Sequence, residues 1–166
     1  MVWHAVRMTA GRETTALVKV VFELPRTEDN WPPVGSERMW AIPRGDDLVE
    51  LNNTPFFVRG AAEGDIVRVE ENADGELVVQ DTVEPSDNCT VRVIPLRDGG
   101  ETLQSVMDVF GELGAEGEGA EQFNLLALNL PSSVDHGAIK QLLMAGAADG
   151  RWDWEGGALT QEFRDA

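Results

Sequence analysis

The sequence has one cysteine, two histidines, no tyrosine and no long apolar run. A single cysteine, Cys89, excludes an intramolecular disulfide and a cysteine-based zinc site. No window approaches the roughly 18 consecutive apolar residues of a membrane-spanning helix, and the first residues lack the apolar core of a signal peptide. We therefore expect a cytosolic protein.

Basic side chains are also scarce. The chain has 13 lysines and arginines against 30 aspartates and glutamates, which gives a formal net charge of −17. Residues 1–98 carry 18 acidic and 10 basic side chains, whereas residues 99–166 carry 12 and 3, so the C-terminal part is the more densely negative. Such a charge argues against binding to nucleic acid or to an anionic membrane, because phosphates need a basic surface. It favours a basic protein partner, which the negative charge would attract.

Catalytic signatures are absent as well. The chain contains no nucleophile elbow, zinc-protease helix, P-loop or dinucleotide-binding glycine motif. Its histidines, His4 and His136, are interpreted as surface residues, and Cys89 as a buried, inert thiol. Asp153 and Glu155 would share one face of a strand, but no further ligand lies near them in sequence, so no metal site is predicted. The sequence leaves catalysis open, favours a non-enzymatic protein and indicates no cofactor.

The first half of the chain is rich in short strand patterns. Residues 1–14 show no periodicity and are predicted to form a flexible arm. Over residues 15–88, short β-branched runs alternate with glycine and proline breaks, and Asp74-Gly75 is a hairpin-turn signal between the last two runs. This pattern predicts a small curved β-sheet or partial barrel.

The periodicity changes after residue 88. A strand at CTVRVIPL precedes a helix whose apolar face begins at Leu103, with Thr102 as its N-cap. Two strand patterns follow: AEGEG is typical of an edge strand and QFNLLALNL of a central strand. A second helix comes next, with Ser132 and Asp135 as a capping box, and RWDWEGGAL supplies the last strand. The order β-α-β-β-α-β over residues 89–162 predicts a ferredoxin-like layer. The chain is thus predicted as an α+β protein in which the curved sheet packs against that layer.

Tryptophan is unusually frequent, with five in the chain. Trp152 and Trp154 flank Asp153, so in a strand both rings lie on one face. They either cover the helices or anchor a partner, since tryptophan is enriched at interface hot spots. Acidic segments at 112–121 and 149–155 would attract a basic partner. We predict a partner-binding surface that consists of Trp152, Asp153, Trp154 and Glu155.

The stretch NNTPFFVRGAAEGD contains two adjacent phenylalanines, Phe56 and Phe57, which would point to opposite faces of an extended chain. They either seal the barrel or line a ligand groove. For the second possibility we predict a pocket in the crevice between the two layers, lined by Asn53, Phe56, Phe57, Asp65, Thr90 and Arg92.

Four short motifs mark most of the chain: ERMWA, the NNTPFFVRG stretch with the following GDIVRV, SDNCTVRV, and GRWDWEGG. Together they resemble a bacterial family that is described only as a domain of unknown function, series 4265. The resemblance covers residues 36–160, and Thr90 and Arg92 belong to its second motif. Its best motif consists of Asn53, Pro55, Phe56, Phe57, Gly64 and Asp65. The resemblance implies domain limits but no chemistry, because the family has no established activity.

Three classes of function remain open. We favour a non-enzymatic acidic protein that binds a basic protein, such as an immunity protein, an antitoxin or an enzyme inhibitor. The alternative is a small-molecule-binding or catalytic domain with its site in the six-residue pocket. The third is a subunit of a homodimer or larger homo-oligomer, which an exposed strand edge at QFNLLALNL would indicate.

Overall fold

A computed structural model describes residues 6–10 and 13–166 of the protein, with side chains from residue 16 onward. The protein has a mixed α+β fold with two mainly antiparallel sheets and few helices. The chain divides into two compact units after Ser86. We call them the N-terminal unit, up to Ser86, and the C-terminal unit, from Asp87 onward.

The described part of the N-terminal unit is a six-stranded sheet that closes on itself. Consecutive strands pair antiparallel in sequence order. The second and sixth strands then pair in parallel, through Val20 with Leu77 and Val21 with Val78, so that five strands form a barrel. The strands are β1 (Val6–Ala10), β2 (Glu13–Glu23), β3 (Ser36–Pro43), β4 (Leu48–Leu51), β5 (Ile66–Glu71) and β6 (Leu77–Glu84).

Alternate side chains of these strands fill the barrel. In β3, Met39 and Ala41 are buried, whereas Arg38 is exposed and Trp40 is only partly buried, because successive side chains of a strand point to opposite faces. The loop between β4 and β5, residues 52–65, contributes to the same core, so the core also positions that loop. The core consists of Val20, Met39, Ala41, Val49, Leu51, Val58, Ala61, Val67 and Val69.

The turn between β5 and β6 is the one that the sequence predicts. Gly75 has a φ of 75°, which glycine adopts without the steric cost of a Cβ. The Asn72 side chain accepts hydrogen bonds from the N–H groups of Asp74 at 3.0 Å and Glu76 at 2.9 Å. These local contacts fix the hairpin.

The flexible arm predicted over residues 1–14 falls partly on residues 1–5, 11 and 12, which lie outside the described residues, as does His4. Of the remainder, Val6–Ala10 form β1, which pairs antiparallel with the first residues of β2. The pairing joins Val6 to Leu17 and Ala10 to Glu13. Val6, Met8 and Ala10 alternate with the polar Arg7 and Thr9, which is the pattern of a strand. The prediction of an arm overlooked this pattern because it spans only five residues.

The C-terminal unit is a four-stranded antiparallel sheet covered by helices. Its strands are β7 (Cys89–Pro95), β8 (Glu116–Ala120), β9 (Leu125–Leu130) and β10 (Trp152–Ala158), and its helices are α1 (Leu103–Gly111), α2 (His136–Ala148) and α3 (Gln161–Asp165). The strands lie in the order β10-β7-β9-β8. β9, which contains most of QFNLLALNL, is therefore paired on both sides. It does not present the exposed strand edge that would have indicated a homo-oligomer.

The core of this unit lies between the sheet and its helices. It includes Val106 and Phe110 of α1 and Ile139 and Leu143 of α2, all 0% exposed. From the sheet and the adjoining segments it includes Cys89, Val91, Val93, Ala115, Leu126, Leu128, Leu130, Trp152 and Phe163. Alternate residues of β7 and β9 face the opposite side of the sheet.

One predicted helix start is confirmed and the other is wrong. Thr102 caps α1, and its side chain accepts from the Ser105 N–H at 3.0 Å. In α2 the cap is Asp135, whose carboxylate accepts from the Ala138 N–H at 3.0 Å. Ser132 therefore lies in the turn before the helix.

The longest helix in the described part of the chain, α2, has 13 residues, and none of the described helices meets the length and hydropathy that crossing a membrane requires.

Candidate functional site

The loop 52–65 is held against β3 by one carboxylate. Glu37 accepts hydrogen bonds from three consecutive backbone N–H groups, those of Phe56 at 2.6 Å, Phe57 at 2.9 Å and Val58 at 3.0 Å. Hydrogen bonds to an ionised carboxylate are about twice as strong as neutral ones. Sequence reasoning missed Glu37, because its partners follow 19 to 21 residues later and no local motif connects them.

Two polar residues of the loop also bind backbone groups. The Asn53 Oδ1 accepts from the Trp40 N–H at 2.8 Å. Asp65 is 3% exposed, and its carboxylate accepts from the N–H groups of Ala62 at 3.0 Å and Ser86 at 2.7 Å. These two members of the predicted pocket therefore stabilise the loop and its neighbouring strands.

The two phenylalanines of the loop differ in exposure. Phe57 is buried, and its ring meets Trp31 edge-on with the ring centroids 5.7 Å apart. Phe56 is partly exposed, with its ring centroid 6.5 Å from that of Phe57. Phe57 and Trp31 line a cleft in the N-terminal unit. Trp31 was not among the predicted site residues, because its loop of prolines and glycine carries no periodicity.

The other two residues of the predicted pocket belong to the C-terminal unit. Thr90 and Arg92 lie in β7, on the face of the sheet opposite α1 and α2, and are 0% and 2% exposed. The Arg92 guanidinium packs over Gly157, where an added Cβ would approach it to 2.8 Å. Its Nε lies 3.4 Å from the Glu155 Oε1. The six predicted residues are thus divided between the units, four in one and two in the other.

Trp152 is a core residue and not the surface anchor that the sequence predicted. It is 1% exposed, its Nε1 donates to the Leu143 carbonyl at 3.0 Å, and its ring centroid lies 5.5 Å from that of Phe110. A Cβ at Gly146 of α2 would overlap the indole ring. Trp154 is partly buried and packs against the same core. Both rings lie on one face of β10, as predicted, and that face is the one toward the helices.

The acidic members of the predicted surface lie on the other face of β10. Asp153 and Glu155 are both exposed. Glu155 is opposite Arg92 in the strand register and forms its ion pair with that residue. The pleat of the strand therefore separates the two tryptophans from the two carboxylates, and the four residues form no common surface.

His136 is buried at 5% exposure, contrary to the prediction of a surface residue. Its ring meets Phe163 edge-on, and its Nδ1 lies 3.7 Å from the Glu162 Oε1. The short helix α3 packs on the start of α2 and covers it.

Within residues 6–10 and 13–166, no three histidine, cysteine, aspartate or glutamate side chains are close enough together to hold a metal ion.

The basic side chains of the C-terminal unit are largely engaged by its own residues. Arg151 lies 3.8 Å from carboxylate oxygens of both Glu101 and Asp149 and stacks over the Trp152 ring. The Lys140 ammonium donates to the carbonyls of Phe163, Arg164 and Ala166 at 3.4, 3.0 and 2.9 Å. Arg92 is held by Glu155. Few positive charges therefore remain to offset the acids of this unit.

One group of acids surrounds the open edge of the C-terminal sheet. β8 is the last strand in the sheet order, so no strand of the described chain lies along its outer edge. The ion pairs of the unit with arginine use Glu101, Asp149 and Glu155, and Glu162 lies beside His136. The acids near β8 are exposed and take part in none of these pairs. We call them the β8 acidic edge, which consists of Glu112, Glu116, Glu118 and Glu121.

The model of the family described as Domain of unknown function (DUF4265) matches residues 37–154. The chain belongs to this family. No curated protein is significantly similar to the chain in sequence. Among solved structures, the chain is similar to a hypothetical protein from Neisseria gonorrhoeae, with a TM-score of 0.69 and 18% sequence identity over 85% of this chain and 94% of that chain. That likeness shows the fold alone.

The resemblance that the sequence motifs indicate is therefore confirmed. The matched region of the domain of unknown function begins at Glu37, the carboxylate that holds the loop, and includes the whole β8 acidic edge. Trp31 precedes the matched region.

Proposed function

We propose that this protein is an acidic, cytosolic, non-enzymatic module that binds a basic segment of another protein at the β8 acidic edge. The observation that carries the proposal is the coincidence of an open strand edge with exposed carboxylates that form none of the unit's ion pairs. Immunity proteins, antitoxins and enzyme inhibitors are classes in which such a module would serve.

Charge supports this assignment. Residues 87–166 contain 14 acidic and 5 basic side chains, a formal charge of −9, and three of those five bases are engaged within the unit. Residues 1–86 contain 16 acidic and 8 basic side chains, a formal charge of −8. There Arg38, Arg44 and Arg68 pair with Glu76, Glu50 and Asp47. The C-terminal unit thus carries slightly more net negative charge on fewer residues, and this charge would accelerate its encounter with a basic partner.

The backbone supports it too. An open strand edge presents unpaired N–H and C=O groups to an incoming extended segment, and the alternate side chains of that segment provide specificity. Glu116 and Glu118 lie on one face of β8, opposite Asn129 and Ala127 in the register. A basic residue at every second position of the segment would meet them.

A charge-reversal experiment tests the proposal. We expect Glu116→Lys/Glu118→Lys to weaken binding of a captured basic partner by about tenfold or more in about 50 mM salt, and by much less in about 500 mM salt, where exposed charges are screened. Partners would be captured from host lysate, identified by mass spectrometry, and their affinities measured with purified components.

The matched control is Glu70→Lys/Glu71→Lys in β5, which changes the net charge equally at two exposed glutamates of the N-terminal unit. It should retain most of the affinity. Equal losses in the two double variants would show that net charge alone attracts the partner, and unchanged affinity in the β8 variant would refute the site.

We also infer that the C-terminal unit is a ferredoxin-like layer, as the sequence predicts. The strand order β10-β7-β9-β8 and the chain order β-α-β-β-α-β support this inference. Residues of α1 and α2 share one core with a single face of the sheet. An experimental structure with the two helices on opposite faces would contradict it.

A further inference from the structure

The barrel of the N-terminal unit is open along part of one seam. β2 and β6 pair only at Val20–Leu77 and Val21–Val78, although both strands continue beyond these pairs. On its other side β6 stays paired with β5 as far as Glu84. Residues 79–84 of β6 therefore have no strand along their second edge in the part of the chain that the structure describes.

β6 is irregular beside the opening. The register between β5 and β6 shifts twice, which leaves Gln80 and Val83 without a partner residue in β5. Such bulges bend a strand and increase its twist, and they are common at barrel rims beside binding sites. The Gln80 side chain turns back to donate from its Nε2 to the Val78 carbonyl at 3.1 Å. A side-chain amide thus binds the backbone at the point where the pairing with β2 stops.

A cleft of about 570 Å³ lies at this opening. Phe22 and Glu23, at the end of β2, form one wall, and Val79 and Asp81, in the middle of β6, form the other. Trp31 and Phe57 add aromatic surface. Volumes of this order are typical of ligand sites that combine an apolar lining with a few polar groups. The cleft thus has exposed strand backbone and an aromatic wall.

Charge favours one kind of occupant. Glu23 and Asp81 are exposed at the cleft, and the only ion pair of Asp81 in the described residues is with Arg68, at 3.4 Å between two half-exposed side chains. Arg59 is the single basic residue of the lining. A cation is therefore favoured beside Glu23 and Asp81, which lie on opposite walls of the cleft.

We propose that the cleft binds an extended peptide segment of a partner protein, which pairs with the open edge of β6. An apolar side chain of the segment contacts Trp31 and Phe57, and a neighbouring lysine or arginine contacts Glu23 and Asp81. The Gln80 amide releases the Val78 carbonyl when the segment pairs. This is a second peptide site, independent of the β8 acidic edge.

The test is an NMR titration with three heptapeptides, each acetylated and amidated. The first alternates lysine with leucine, the second replaces lysine by glutamate, and the third is the first peptide methylated at alternate backbone nitrogens, so that it cannot form a strand ladder. The background is the Glu116→Lys/Glu118→Lys variant, which reverses the two carboxylates of the β8 acidic edge that lie in the strand. Failure of one site is then distinguishable from failure of the other.

We expect the lysine peptide to shift the amide signals of residues 79–82 and the indole signal of Trp31. The glutamate and methylated peptides should bind at least about tenfold more weakly, because one reverses the charge and the other removes the backbone hydrogen bonds. Shifts outside the cleft alone, or equal binding of the methylated peptide, would overturn the proposal.

Two tryptophan variants provide a second measurement. Trp31→Ala should weaken the lysine peptide by at least about tenfold, since a buried aromatic contact is lost. Trp40→Ala removes a similar, partly buried ring that stacks with Lys19 and does not line the cleft, and it should change the affinity less than about twofold. Equal effects of the two changes would refute an aromatic contact at Trp31.

Discussion

Glu37→Ala is expected to destabilise the N-terminal unit by about 3 kcal/mol. The change removes the acceptor for three consecutive N–H groups, and two of these belong to the buried residues Phe57 and Val58. A buried donor that loses its partner costs about 1 to 3 kcal/mol. The total is less than three times that cost, because water can reach part of the loop and replace some of the lost hydrogen bonds. Hydrogen exchange of barrel amides and urea denaturation would measure the loss.

Two further variants make this result specific to the carboxylate. Glu37→Gln keeps one acceptor oxygen and should cost about half as much. Glu76→Ala removes the partner of Arg38 in an ion pair between partly exposed side chains and should cost less than about 1 kcal/mol. If Glu37→Ala and Glu76→Ala proved equally mild, the loop would be held by its apolar contacts, and the role assigned to Glu37 would be wrong.

Gly146→Ala should destabilise the C-terminal unit by about 3 kcal/mol, although alanine is normally the better helix former by about 1 kcal/mol. An added methyl group at Gly146 would overlap the indole of Trp152, which is fully buried and has no room to move away from Phe110. The shift would also strain the hydrogen bond from the Trp152 Nε1 to the Leu143 carbonyl. Thermal and urea denaturation would measure the effect.

The matched control is the same substitution in α1. At Gly111, the nearest atom to an added Cβ outside the helix backbone is the Met107 Cε at 3.9 Å, an ordinary contact. Gly111→Ala should therefore be neutral or stabilising by up to about 1 kcal/mol. Two variants of opposite sign would show that close packing, rather than helix propensity, decides the effect at Gly146. A stabilised Gly146→Ala protein would contradict the observed approach of α2 to the indole.

Local signals in the sequence predict most of the strands and helices. The Asp74-Gly75 turn and the Thr102 cap depend on residues within four positions of each other, and both are found as predicted. The alternation of β-branched residues likewise predicts a curved sheet in the first half of the chain, because the period of a strand is written in consecutive residues.

Contacts between distant residues are not visible in the same way. Glu37 and Phe56 are 19 residues apart, and the pairing of Val20 with Leu77 that closes the barrel joins residues still farther apart. The alternation in β10 predicts that Trp152 and Trp154 share a face, but not that the face is toward the helices; only the packing of Trp152 against Gly146 determines that. The sequence therefore predicts which side chains share one face of a strand, but not which of the two faces is buried.

The single thiol of the chain has a practical consequence. Cys89 is 0% exposed and its sulfur lies 3.3 Å from the Thr160 Oγ1. A thiol-modifying reagent can reach it only when the C-terminal unit opens, and no other cysteine competes for the reagent. The labelling rate is therefore a site-specific readout of local unfolding in one half of the chain. Comparison of that rate with the exchange rates of barrel amides would distinguish two halves that unfold together from two that unfold separately.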